Sequence, residues 1–217
     1  MQSPLSFRKL RDSRAILRWL AVLSALVAVD ASAASPEPFD CGTLPRRSIE
    51  RVMCHSATLT GLDQEMNRLL TLATAGSGPA VSQIREQQVA WGARSAECAN
   101  SKTQEACLRE LYVSRIAAIR AGSRAARSAD TKGTSLGPFA FRCEGVDAPL
   151  AISYVNVPPR FAWVTIQDKG YLLVEQRSGS GARYEGNGTL FWEAQGEARW
   201  RPTTGSPETV CARATAR

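Results

Sequence analysis

The chain has 217 residues, 44% hydrophobic and 22% charged, a globular composition too apolar for a disordered polymer. Its 11 Pro and 16 Gly are too few for a fibrous or low-complexity chain. The only histidine, His55, has no second imidazole to work with, which excludes most His-based triads and the common multi-histidine zinc sites.

Residues 1–33 read as a secretory signal peptide. Arg8, Lys9, Arg11, Arg14 and Arg18 lead into the apolar run Trp19 to Val29, which is shorter than the ~20 helical residues that cross a bilayer. Ala31, Ser32 and Ala33 give a small-x-small cleavage pattern, so the mature chain is expected to begin near Ala34. Cys41 follows Phe39 and Asp40 rather than a small-residue lipobox. The expected product is therefore a periplasmic protein without a membrane anchor. Removing 1–33 takes away five Lys/Arg and two Asp/Glu and lowers the formal charge from +7 to +4. Residues 34–138 carry 13 basic and 10 acidic side chains and residues 139–217 carry 9 and 8, so neither half has the bias of a nucleic-acid binder.

Residues 46 to about 121 have helical periodicity. Leu59, Leu62, Met66, Leu69 and Leu70 repeat at three and four, as do Val81, Ile84, Gln88 and Trp91, then Leu108, Leu111, Tyr112, Arg115 and Ile119. Three amphipathic helices are expected, near 46–74, 80–98 and 103–121. Gly76 to Pro79 separate the first two, and Asn100 and Ser101 precede the third. Trp91 is expected in the core, and His55 on a helix surface. Residues 122–138 are polar, with few large apolar side chains, and read as a linker.

Beyond the linker the period becomes two. Eight short β-rich segments are expected within 139–217, divided by Pro158 and Pro159, Asp168 to Gly170, Asn187 and Gly188, and Gln195 and Gly196. Regular turn spacing favours an antiparallel meander closed into a small barrel. Asn187, Gly188 and Thr189 match a glycosylation sequon, but Asn-Gly is also the preferred two-residue hairpin turn, and the turn reading wins. The fold class is thus α+β in two domains: a three-helix, disulfide-bonded domain over 34–121 and an eight-stranded antiparallel β-barrel over 139–217.

All six cysteines, Cys41, Cys54, Cys98, Cys107, Cys143 and Cys211, follow the leader. An even number behind a secretion signal implies three disulfides. With no C-x-x-C and no His pair, a metal site is disfavoured and no cofactor is expected. Cys143 and Cys211 suit a bridge between the first and last strands. A hairpin of the first two helices favours Cys54 with Cys98 and Cys41 with Cys107. Pairing of Cys98 with Cys107 across the short loop is the alternative.

Ser178, Gly179, Ser180, Gly181, Ala182, Arg183 and Tyr184, followed by Gly186, Asn187, Gly188, Leu190, Phe191, Trp192, Gly196, Glu197 and Ala198, resemble the periplasmic and membrane-bound inhibitors of C-type lysozyme. In the helical half Phe39, Asp40, Cys41, Ile49, Glu50, Cys54, Leu59, Leu62, Asp63, Gln88, Trp91, Arg94, Cys98, Cys107, Leu108, Tyr112 and Arg115 resemble the LprI-type lysozyme-inhibitor domain. The first resemblance implies an eight-stranded barrel whose Ser180 enters the lysozyme cleft. A lysine fourteen residues later would make the second contact. In this chain that position is Ala194, or Gln195 with a one-residue shift, and neither carries a charge.

The expected partner is C-type lysozyme. Its binding residues are expected among Ser178, Ser180, Gly181, Ala182, Arg183, Tyr184, Ala194 and Gln195, and Arg183 or Arg199 is the remaining source of a cation. A lysozyme cleft presents a protonated acid and an ionised carboxylate. A Ser hydroxyl carried between glycines can offer a hydrogen bond there without bulk. The resulting function is a non-enzymatic block that protects peptidoglycan. The competing readings are an envelope-binding module with no effect on lysozyme and a muramidase-like hydrolase, whose paired-carboxylate cleft has no counterpart in the sequence. A homodimer through the helical half stays open.

Overall fold

The computed structural model describes residues 41–46, 48–127 and 133–214. The expected leader, 1–33, and the middle of the expected linker lie outside them. Five helices precede eight strands: α1 (Ile49–His55), α2 (Ala57–Ala73), α3 (Pro79–Glu97), α4 (Gln104–Gly122) and α5 (Arg124–Arg127), then β1 (Ser135–Cys143), β2 (Leu150–Val155), β3 (Phe161–Ile166), β4 (Lys169–Gln176), β5 (Ala182–Gly186), β6 (Thr189–Ala194), β7 (Glu197–Arg201) and β8 (Thr209–Arg213). Each strand pairs antiparallel with the next and β8 returns to β1, closing the barrel.

The first expected helix is two helices. Ser56 breaks it in an extended conformation, with its hydroxyl accepting the Leu59 N–H to cap α2 and donating to Glu105 at 2.8 Å. Apolar spacing could not reveal this break, because Val52, Met53 and Leu59 all pack on the same core. The break also changes the disulfides. Cys54 ends up beside Cys41, and the 3-10 turn Cys98–Asn100 brings Cys98 back to Cys107, so the bridges are Cys41–Cys54, Cys98–Cys107 and Cys143–Cys211. The favoured hairpin pairing is replaced by two short-range staples, the second being the alternative noted above.

Polar side chains lock the helices together. Tyr112 donates to Asp63 at 3.1 Å and meets the Trp91 ring edge-on at 4.9 Å. The Trp91 indole donates to the Leu111 carbonyl. Buried Arg115 reaches from α4 to Gln88, Gln87 and the Ile84 carbonyl of α3. Asp63, Gln88, Trp91, Tyr112 and Arg115, which carry part of the helical resemblance, therefore serve packing. His55 is exposed, at the end of α1.

Both faces of β2 to β4 are covered. Leu150, Ile152, Ala162, Val164 and Leu173 fill the barrel, whereas Val155, Val157 and Phe161, with half-buried Trp163, Leu172 and Val174, pack on the helical core. The segment read as a linker is structured where it is described. It ends α4, forms α5 and opens β1, with Ser123, Ala126 and Ser135 buried. Small and polar side chains make this contact, so it left no apolar signature. Arg120, only 1% exposed, donates to the Gly137 carbonyl at 2.9 Å and the Ser135 hydroxyl at 3.2 Å.

Glu65 of α2 completes that junction, accepting from Ser135, from the Thr134 N–H and twice from Arg68 at 2.8 Å. Burial raises its carboxyl pKa, but the bonds from Arg68 and Ser135 outweigh burial and the net shift is downward. A depressed folded-state pKa stabilises above the unfolded value of about 4.3 and loses that contribution as pH falls through the folded value. Glu65→Gln is expected to cost about 2 kcal/mol at pH 7, with the deficit shrinking below about pH 4. Thermal melts of both proteins across pH 3 to 7 check this.

Candidate functional site

The connection from β4 to β5 carries Arg177, Ser178, Gly179, Ser180 and Gly181, all exposed. Two hydrogen bonds shape it. The Ser178 hydroxyl donates to the Gly181 carbonyl at 2.9 Å, and the Trp192 indole donates to the Ser180 carbonyl at 3.0 Å. Gly181 has φ +67°, and a Cβ there would collide with the Glu193 carbonyl and Ala194, so only glycine lets the loop lie against β6. The Ser180 hydroxyl makes no hydrogen bond among the described residues. The loop backbone is held while this hydroxyl stays available.

On the neighbouring hairpin, Ala194 and Glu197 pair across a two-residue turn, with Gln195 at φ +54° and Gly196 at φ +85°. Asn187 and Gly188 make the equivalent turn between β5 and β6, at φ +50° and +81°. Ser180, Trp192, Ala194, Gln195, Glu197 and Arg199 line one shallow depression of about 230 Å³. The loop serine and both candidate lysine positions thus share one surface.

The remaining site residues separate by strand face. Tyr184 points into the barrel at 3% exposure, its ring 5.6 Å from Tyr154 and its hydroxyl pKa pushed up to about 12 by burial, with the Glu175 charge adding to the shift. It supports β5 from inside rather than presenting a surface. Burial also raises the Tyr154 hydroxyl, which donates to Glu193 at 2.6 Å. Ala182, half-buried, begins β5 opposite Glu193. Arg183 is paired with Glu185 on its own strand.

Trp192 and Arg199 are the surface residues that the sequence left without a settled place. Trp192, named only within the resemblance, lies outside the barrel, in register between Arg183 and Arg199, while Phe191 fills the interior. Strict alternation after Phe191 was the signal. Arg199 is exposed, its guanidinium 5.9 Å from the Trp192 ring, and it has no ion pair among the described residues. A hydroxyl donor, an indole and a cation therefore stand together on the surface. Among the described residues there is no group of three or more His, Cys, Asp or Glu placed to hold a metal ion.

Residues 141–208 match the family model of the membrane-bound lysozyme inhibitors of C-type lysozyme. The chain is also 27% identical over 194 residues to Lipoprotein LprI of Mycobacterium tuberculosis and of Mycobacterium bovis, an alignment covering 84% of this chain and 93% of the relative. Both resemblances read from the sequence are thus met, the second by a relative that extends across most of the chain. No solved structure matches it.

Proposed function

We propose that this chain inhibits C-type lysozyme in the bacterial envelope by seating the β4–β5 loop in the enzyme's cleft. The observation that carries the reading is the Ser180 hydroxyl, unengaged on a loop whose backbone is fixed by Ser178 and Trp192. A loop already in its bound shape loses little conformational entropy on docking. The family match over 141–208 and the similarity to LprI support the choice of target. The apolar leader and the relatives' description as lipoproteins support an envelope location. The action is a block without turnover.

The Ser180 hydroxyl donates to a cleft carboxyl, and Gly179 and Gly181 keep the approach narrow. Arg199 takes the charged role that Ala194 and Gln195 cannot fill, because it lines the same depression and Arg183 is held by Glu185. The Trp192 face limits where the guanidinium can go. With no strong charge contrast in the chain, affinity rests on short-range fit more than on long-range steering.

Occlusion makes binding and cleft occupancy exclusive. Lysozyme with its cleft filled by a chitin oligosaccharide is expected to bind this chain far more weakly than free lysozyme, as read by calorimetry. Equal affinity for both would place the contact outside the cleft. Arg199→Ala is expected to raise the inhibition constant about tenfold or more, the scale of a charge-assisted hydrogen bond, with the melting temperature unchanged. An unaltered constant would remove Arg199 from the interface.

A further inference from the structure

Successive strands alternate in direction, so the β2–β3, β4–β5 and β6–β7 connections all emerge at one end of the barrel. The helices grip that same end. Val157, in the β2–β3 loop, is buried against the helical core while Asn156, Pro158, Pro159 and Arg160 around it are exposed. Its socket is Gly61 of α2, where an added Cβ would stand 2.9 Å from Val157 Cγ1. Thr58 donates to the Pro158 carbonyl at 2.6 Å, and the Asn156 N–H donates to the Thr134 carbonyl, also at 2.6 Å. On its far side the loop is tied to β4. The Glu175 N–H donates to the Arg160 carbonyl at 2.8 Å, and Arg160 pairs with the Glu175 carboxylate at 3.0 Å. One residue beyond Gln176, the end of β4, the Ser180 loop begins.

We infer that the helical module is a positioning element for this end of the barrel, and that residues 156–160 form a second wall of the lysozyme-binding surface beside the Ser180 loop. The inference rests on the cleft-occlusion reading and assigns the helical half a part in it. Two prolines stiffen this loop and its bonds to β4 hold one flank, so what is left to fix is how its Val157 side lies against the helices. The Gly61 socket supplies that constraint, and Gly61 is accordingly the positioning residue. The occupant of the wall is the lip of the lysozyme cleft, which a plug inserted at Ser180 brings against the neighbouring loop.

The test uses the full chain with Gly61→Leu, Gly61→Ala and Arg160→Glu. Gly61→Leu is expected to weaken inhibition about tenfold and to speed amide hydrogen exchange at Asn156, Val157 and Arg160, the residues of the loop that carry an amide hydrogen, and over 176–181, while exchange in β7 and β8 stays unchanged. Gly61→Ala, whose methyl needs only a small shift of Val157, should stay near wild type on both readouts. Arg160→Glu is expected to weaken inhibition severalfold while lowering the melting temperature by no more than a few degrees, because the contact with Glu175 that it turns repulsive is largely exposed. This variant keeps the second wall testable should the leucine prevent folding. Unchanged inhibition with Arg160→Glu overturns the second wall. Unchanged exchange at 156–160 with Gly61→Leu overturns the positioning role. A wild type that does not inhibit would instead sink the cleft-occlusion reading, and the two failures are distinguishable because exchange at 156–160 is measured without lysozyme.

Discussion

Ser180→Arg in the intact chain is expected to raise the inhibition constant for C-type lysozyme roughly 100-fold or more, the loss typical of a residue at the centre of an interface. Ser180 is exposed and its hydroxyl has no bond to lose, so the melting temperature should stay within about 2 °C of wild type. The damage is at the interface only. An arginine is too bulky for a plug flanked by glycines, and it replaces the small donor with a cation that needs its own partner. Ser180→Ala removes only the hydroxyl and is expected to cost about tenfold, the value of one hydrogen bond to an ionisable group. Comparing the two variants separates bulk from hydrogen bonding. Full inhibition by Ser180→Arg would take the loop out of the cleft.

The second large effect concerns the barrel seam. β1 and β8 meet over a short ladder in which Phe141, Arg142 and Cys143 face Arg213, Ala212 and Cys211. Cys143–Cys211 closes this seam across a sequence separation of 68 residues. For a loop of that length, the chain-entropy model gives about 4 kcal/mol, against roughly 2.5 kcal/mol for the much shorter Cys98–Cys107 loop. The double variant Cys143→Ser, Cys211→Ser is therefore expected to melt roughly 8 to 16 °C lower, and more steeply destabilised than a Cys98→Ser, Cys107→Ser pair. Calorimetric melts read both. If the two pairs lowered the melting temperature equally, the seam would be held by its ladder and the Phe141–Phe191 packing rather than by the bridge.

The barrel was legible because its turns carry their own chemistry. Asn187 with Gly188 and Gln195 with Gly196 occupy left-handed conformations that asparagine and glycine favour, and they divide the strands where expected. The helical half was legible in its apolar period, but the break at Ser56 was not, because packing on both sides of it uses the same face. That break decides where Cys54 lies, so the pairing inferred from a continuous helix went astray with it. The junction was hidden for a different reason. It is built from Ser135, Ala126, Arg120 and Glu65, whose burial depends on hydrogen bonds and not on apolar surface. A clue did exist in the apolar stretches of β2, β3 and β4, since a strand covered on both faces loses its alternation.

The candidate site was legible in part. The resemblance to the C-type lysozyme inhibitors brought Ser180, Ala194 and Gln195 together as one candidate set, and they line one depression. The contribution of Arg199 could not be read in the same way, because it depends on the lateral register of β6 with β7, which places it beside Trp192.

A turbidity titration of C-type lysozyme acting on bacterial cell walls, with increasing amounts of the purified chain, tests the central claim most directly. Lysis is expected to slow in proportion to added protein and to stop near one equivalent, competitively with the cell-wall substrate. Undiminished lysis at micromolar excess would contradict the account and leave a closed eight-stranded barrel directed at some other component of the envelope.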